Sequence, residues 1–128
     1  EFAYFGELNA NLSIRVGAQG AIIGGKTRDS LNVENLKFPV FSKGLTCMDV
    51  KKRAVVESIN KAINLEGVEI KPEDLIFADS EGVIIIPKEK EKYILSKAIE
   101  TISKEKNILD DISLNKSITY ILKKNGFF

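Results

Sequence analysis

Two apolar runs joined by a polar turn and closed by a proline limit what this 128-residue chain can fold into more than any other feature does. They are Leu75-Ile76-Phe77-Ala78 and Val83-Ile84-Ile85-Ile86, with Asp79-Ser80-Glu81-Gly82 between them and Pro87 behind. Branched and aromatic side chains favour extended backbone, and Asp, Ser and Gly supply turn conformations, so the pattern predicts a β-hairpin. After Pro87 the apolar period changes from two to about three and a half. Ile94, Leu95, Ala98, Ile99 and Ile102 form a stripe among Lys and Glu, as expected of an amphipathic helix packed on a sheet. A second helical stretch around Ile118, Ile121 and Leu122 is expected to stop at Asn125-Gly126.

Upstream, residues 6–16 read as a short helix, with Phe5, Leu8 and Leu12 at helical spacing and Gly17 as its stop. Ala21 to Ile23 reads as a buried strand and Phe38-Pro39-Val40-Phe41 as another, whose proline marks an edge or a strand entrance. Residues 28–37 between them are expected to form a loop, and residues 54–59 and 68–70 further extended segments. Strands in the middle with helices at both ends predict a mixed α/β layered domain. The length suits one domain, taken as residues 1–128, and no repeat or linker divides it. The chain starts at Glu1-Phe2 rather than Met, so the expectation is a fragment of a longer polypeptide whose upstream segment is missing.

Composition removes whole classes of chemistry. With 19 basic against 18 acidic side chains, there is no excess charge to track a phosphate backbone, so nucleic acid is not an expected direct partner. No apolar stretch reaches bilayer-spanning length, no secretory signal is visible, and the lone Cys47 makes no internal disulfide, so no membrane partner and a cytoplasmic setting are expected. The chain has no His, which excludes imidazole bases, the usual serine and cysteine triads and His-rich zinc sites. Carboxylates, Lys, Tyr, water or a metal hydroxide remain to move protons, and any metal should be held by oxygen.

The segment Gly20-Ala21-Ile22-Ile23-Gly24-Gly25-Lys26-Thr27-Arg28-Asp29-Ser30 carries the most chemistry. Glycines at a strand end permit positive φ and close approach of a ligand to the backbone. Arg28 offers a fork for a carboxylate and Asp29 an anchor for a hard cation, a pairing that suits a 2-oxo acid. Past Gly6, the unpaired amides of Leu8 and Asn9 at a helix start are a second place for an anion, which Arg28 would close from the other side. Each feature has a plainer explanation when taken alone. An Arg-Asp pair is commonly solvated, Gly24-Gly25 a turn, and Glu7 a favourable acid in a first helical turn. Asp79 and Glu81 fit a hairpin turn better than a metal site, Cys47-Met48 fits packing better than a reactive thiol, and Lys88 to Lys106 fits a solvated helix face.

Taken in order, Phe5-Gly6-Glu7-Leu8, Gly20-Ala21-Ile22-Ile23-x-Gly25-x-x-Arg28-Asp29, Pro39-Val40-Phe41 and Asp74-Leu75-Ile76-Phe77-Ala78-Asp79-x-x-Gly82-Val83 through Pro87 resemble the regulator-of-ribonuclease-activity-A-like family. That family includes the 4-hydroxy-4-methyl-2-oxoglutarate aldolases, class II enzymes that also decarboxylate oxaloacetate. The resemblance implies a swivelling three-layer β/β/α domain, here lacking its amino-terminal segment, assembled as a homotrimer or a dimer of trimers. It also implies that Gly6, Glu7, Leu8 and Asn9 bind the pyruvyl part of a small 2-oxo acid, that Arg28 grips it, and that Asp29 anchors Mg2+ or another divalent cation such as Mn2+. Glu7 would orient metal-bound water, and the cation would draw charge onto oxygen as a carbon–carbon bond breaks to an enolate. An acid from a neighbour's carboxyl-terminal tail is a further expected contributor, with Glu105, Asp110 and Asp111 as candidates. The chain departs from the family pattern at Gly24, where members carry Asp, and at Pro72-Glu73-Asp74, where they read Pro-Gly-Asp. The expected activity is a divalent-metal lyase on 2-oxo acids; the competing expectation is a non-catalytic, oligomeric protein-binding or regulatory module.

Overall fold

Short strands in this protein pair two by two, and helices follow directly from strand ends. The computed structural model describes residues 1–126. β1 (Ala3–Phe5) leads into α1 (Glu7–Arg15), β2 (Ala21–Ile23) precedes β3 (Lys26–Thr27), and α2 (Ser30–Asn35) runs on to β4 (Val40–Ser42). Two hairpins come next, β5 (Ile63–Leu65) with β6 (Val68–Ile70) and β7 (Leu75–Asp79) with β8 (Gly82–Ile86). A 3-10 turn at Lys88–Lys90, α3 (Glu91–Ser113) and α4 (Ile118–Asn125) complete the order. The mixed α/β fold expected from the sequence is the one formed. The chain gathers into two compact units, one of Glu1–Pro72 with Ile76–Ile85, the other of Glu73–Leu75 with the residues from Ile86 onward.

In the first unit β1 pairs parallel to β3 and β2 parallel to β4, with Ala21 opposite Val40 and Ile23 opposite Ser42. Pro39 stands at the entrance to β4, where it has no N–H to give, and its carbonyl accepts the Ala21 N–H at 2.9 Å. The core gathers where α1 meets α2: Ala10, Val33 and Phe38 are buried, with Phe5, Ala21, Leu36 and Val40 packed against them. Phe5 and Phe38 stack with centroids 6.1 Å apart. Ala10 has no exposed surface at all, whereas Leu8 and Leu12 are 76% and 59% exposed. The expected apolar face of this helix is therefore wrong: a small side chain, not a leucine, is what lets α1 lie against Val33 and Phe38. Its end matches expectation. Gly17 (φ 87°) donates to the Ile14 carbonyl and Ala18 to that of Ser13, a Schellman stop.

Two further expectations need correction, and one strand was not anticipated. Residues 28–37 hold α2 rather than a simple loop; Ser, Asn and Val are weak helix formers, so the helix announces itself poorly and rests on burial of Val33. Residues 54–59 form no strand, and Val55 and Val56 are 92% and 79% exposed. β5 was hidden because Ile63-Asn64-Leu65 is short, yet Glu66 (φ 52°) and Gly67 (φ 83°) make the two-residue turn that joins it to β6. The hairpin β7–β8 forms as expected, with the Asp79 carboxylate accepting the Glu81 N–H at 2.8 Å in its turn.

In the second unit α3 is helical as expected, but its stripe is mostly solvated: Ile99 and Ile102 are 65% and 62% exposed. Burial moves instead to its last turns, at Ile108 and Asp111, where α4 packs back with Ile121. The buried Asp111 carboxylate pairs with Lys124 Nζ at 2.6 Å, and this bond holds the lysine's pKa above its ordinary value. Ser117 caps α4 by accepting the Tyr120 N–H, and Gly126 (φ 80°) follows its last residue. On the solvated face, Lys104 and Lys97 flank Glu100 and pull its pKa down to about 2. Among the described residues no helix is long and apolar enough to cross a membrane.

Phe38→Ala is expected to lower stability by about 3–5 kcal/mol in urea denaturation, whereas Leu12→Ala should change it by about 0.5 kcal/mol or less. The reverse ranking would contradict the assigned core.

Candidate functional site

β1 and β3 run parallel and end level with each other, Phe5 opposite Thr27. The Phe5 carbonyl accepts both the Arg28 N–H and the Thr27 hydroxyl, each at 2.9 Å, which locks the two strand ends together. From this level the chain leaves through Gly6 into α1 and through Asp29 into α2, so helix starts gather at the carboxyl ends of parallel strands, the usual place for a ligand in such folds. Asp29 sits in the left-handed region (φ 55°), which Asp tolerates better than most residues. Its side chain does not cap its own helix. Instead Oδ2 accepts the Glu7 N–H of α1 at 3.2 Å, supplying from 22 residues away the cap that Gly6 cannot provide. Gly6 has extended backbone, so it is required for room and not for φ: a Cβ there would lie 2.6 Å from Asp29 Oδ2 and 2.9 Å from Arg28 Cγ.

Arg28 lies between two carboxylates. Its Nε is 3.6 Å from Asp29 Oδ2, and its Nη1 donates to Asp49 Oδ2 at 2.7 Å. Asp49 is fixed in turn, because its Oδ1 accepts the Lys51 N–H at 2.7 Å and its backbone bridges to Ala3. The hydrogen bond that Arg28 donates to Asp49 raises the Arg28 pKa; the Lys51 N–H first and Arg28 second lower that of Asp49. A carboxyl with a lowered folded-state pKa adds stability above its ordinary value, and that contribution disappears as the pH falls through the lowered one. The pair therefore holds across the neutral and mildly acidic range. Both side chains are more than a third exposed, so the gain is chiefly orientation.

The first turn of α1 is partly committed. Glu7 Oε2 accepts from Asn32 Nδ2 at 2.7 Å, Asn9 Nδ2 donates to the Tyr4 carbonyl at 3.3 Å, and the Leu8 side chain faces solvent. The first intrahelical bond runs from Ala10 N–H to the Gly6 carbonyl, which leaves the amides of Leu8 and Asn9 ahead of the helical ladder. Gly6, Glu7, Arg28 and Asp29 are thus brought together as expected. The adjoining cavity, of about 470 Å³, is lined by Arg28, Asp29, Ser30, Leu45, Thr46 and Cys47. Gly6 to Asn9 are not part of that lining; they back it through Asp29.

Several sequence readings change here. Neither Gly24 nor Gly25 has positive φ, and the close approaches are made by side chains and not by an open ligand site: a Cβ on Gly24 would meet Leu65 Cδ1 at 2.4 Å, one on Gly25 would meet Tyr4 Cδ2 at 2.5 Å. A side chain at position 24, where the family resemblance leads one to expect Asp, would have to displace the Leu65 methyl. Cys47 is exposed on the cavity wall rather than packed, and Met48 is 49% exposed. Asp111 is committed to Lys124, which removes it as a mobile acid. Asp49, Asn32 and the Leu45–Cys47 wall escaped the sequence reading. One signal was available for Asp49: it is the only acid between Glu34 and Glu57, just ahead of Lys51, Lys52 and Arg53.

Among the described residues no group of three or more Cys, Asp or Glu side chains could enclose a metal ion. One carboxylate facing a cavity fits a Mg2+-like cation that keeps most of its water, and does not fit a closed transition-metal cage.

A family model described as RraA-like, Aldolase/RraA, matches residues 1–85. An uncharacterized protein of Methanocaldococcus jannaschii is 35% identical over 123 residues, 95% of this chain and 58% of that protein. A Halalkalibacterium halodurans protein named "Putative 4-hydroxy-4-methyl-2-oxoglutarate aldolase" is 36% identical over 75% of this chain and 45% of its own length. The chain thus spans about half the length of these relatives. Among solved structures, an uncharacterized protein from Pseudomonas syringae pv. tomato superposes with a TM-score of 0.91 at 22% identity, over 97% of this chain and 58% of the other. Streptomyces coelicolor RraAS2, described as an unusual member of the RNase ES inhibitor RraA family, gives a TM-score of 0.73 at 24% identity, over 82% and 54%. At these identities the superpositions establish the fold.

Gly6→Ala should leave the fold intact while pushing the Asp29 carboxylate off the α1 amide, at a cost of about 1 kcal/mol, the worth of a helix cap. Chemical denaturation checks this, and an unchanged midpoint would mean that the carboxylate does not support the helix.

Proposed function

Since the chain belongs to the RraA-like family, we propose that it forms the ligand-gripping part of a lyase acting on small 2-oxo acids, by aldol-type cleavage or oxaloacetate decarboxylation. The observation that carries this reading is the meeting of Arg28 and Asp29 with the Gly6–Glu7 start of α1 at the mouth of a cavity. Arg28 is the carboxylate grip: its charge persists at every working pH, and its fork can bond both oxygens of the acid. Asp29 is the residue that would hold Mg2+, or Mn2+, at the cavity. When bound, such a cation supplies Lewis-acid stabilisation of the negative charge that builds on the keto oxygen as the carbon–carbon bond breaks.

The remaining parts orient and exclude. The Asn32 bond keeps the Glu7 carboxylate against α2, ready to position water next to Asp29. Leu45, Thr46 and Cys47 form the wall of the cavity opposite this acid grip, against which the substrate's carbon chain would rest. With no imidazole in the chain, proton transfer falls to water positioned by Glu7. A homotrimer or a dimer of trimers in the cytoplasm is the assembly proposed with this reading, in keeping with the family resemblance, with Glu105 or Asp110 as the acid that a neighbour's tail would lend.

A second reading, a non-catalytic binding module, rests on Gly24. The absent carboxylate and the Leu65 methyl in its place remove a polar group that catalytic relatives are expected to use. Pyruvate release from oxaloacetate distinguishes the two. With Mg2+ the wild-type chain should accelerate release, chelation should abolish the gain, and Asp29→Asn or Arg28→Met should each cost about 10²-fold in kcat/KM. Equal rates in all arms would remove the lyase reading in favour of the binding module.

A further inference from the structure

The Arg28–Asp49 pair calls for an explanation that the proposed chemistry does not supply. Asp49 is absent from the cavity lining, whereas Arg28 is part of it, so the carboxylate grips the guanidinium from outside the space a ligand would fill. It is itself immobilised at three points: Oδ2 on Arg28 Nη1, Oδ1 on the Lys51 N–H, and backbone on Ala3 beside β1. The segment that carries it is threaded alongside the site strands, since Thr46 N–H bonds to the Thr27 carbonyl and Ala3 N–H to that of Met48. With one nitrogen held by Asp49 and Nε turned toward Asp29, the guanidinium plane is specified at two of its corners. A free arginine side chain has many rotamers, and losing them on binding weakens the grip on an anion.

We propose that Asp49 is a positioning residue, which holds the Arg28 guanidinium in place at the cavity so that it meets the carboxylate of a small organic acid without rearrangement. The inference rests on the reading of Arg28 as the anion grip. It makes a prediction opposite in sign to simple electrostatics. Deleting a negative charge close to an anion site should tighten anion binding through the Coulomb term. If orientation dominates, the same deletion weakens binding.

The test is titration of the wild-type, Asp49→Asn and Arg28→Met chains with pyruvate in Mg2+ buffer, followed by NMR, together with the Arg28 Nε–H resonance and the thermal midpoint. Asp49→Asn keeps the shape of the side chain and its bond to the Lys51 N–H. Pyruvate affinity should fall about tenfold in this variant, the worth of one charge-assisted contact, and the Arg28 Nε–H signal should shift toward that of a mobile arginine while the thermal midpoint barely moves. Unchanged or tighter pyruvate binding in Asp49→Asn, with Arg28→Met still losing it, would overturn the role of Asp49 and leave the grip standing. If Arg28→Met also binds as well as wild type, the reading of the site fails and the inference with it.

Discussion

The Asp29 carboxylate on the Glu7 amide is the interaction on which the site depends. It joins the start of one helix to the loop that opens the next, and it does so at the level where two parallel strands end. A residue in the left-handed region cannot easily cap its own helix, so its side chain is available to another; Asp is the residue type that accepts both demands. The absence of a side chain at Gly6 follows from this contact, because any Cβ would stand where the carboxylate and the Arg28 stem lie. Backbone geometry, a missing side chain and a charge are thus one arrangement.

Much of that arrangement can be read from sequence, for reasons that differ by residue. The β7–β8 hairpin is legible because two runs of branched and aromatic residues, an Asp-Ser-Glu-Gly turn and a closing proline all favour the same backbone. Gly17 and Gly126 mark helix ends because positive φ is cheap for glycine alone. The Arg28-Asp29 pair is legible through family resemblance, and its placement beside Gly6 agrees with that resemblance. What stayed hidden depends on tertiary contact. The burial of Ala10 in place of Leu8 and Leu12 is decided by how near α1 comes to Phe38, which no helical period encodes. α2 is too short and too poor in helix formers to announce itself. Asp49 lies 21 residues beyond Arg28 and reaches it only because the segment around Met48 runs beside β1.

Gly24 is the departure from the family pattern that lies nearest the site in sequence. A side chain there would meet the Leu65 methyl at 2.4 Å, so the leucine would have to turn aside to admit one. The site then relies on fewer acids: Asp29 at the cavity, Glu7 held by Asn32, and Asp49 behind Arg28. Such a set suits gripping one small anion and a loosely held, hydrated cation.

Hydrogen exchange at the Glu7 amide tests the central contact most directly. An amide at the first position of a helix has no partner within it and exchanges freely unless something outside accepts its proton. The account predicts that the Glu7 amide is protected in the wild-type chain and that Asp29→Ala removes the protection, while the Gly17 amide at the far end of α1 is unaffected. A Glu7 amide that exchanges equally fast in both chains would contradict it.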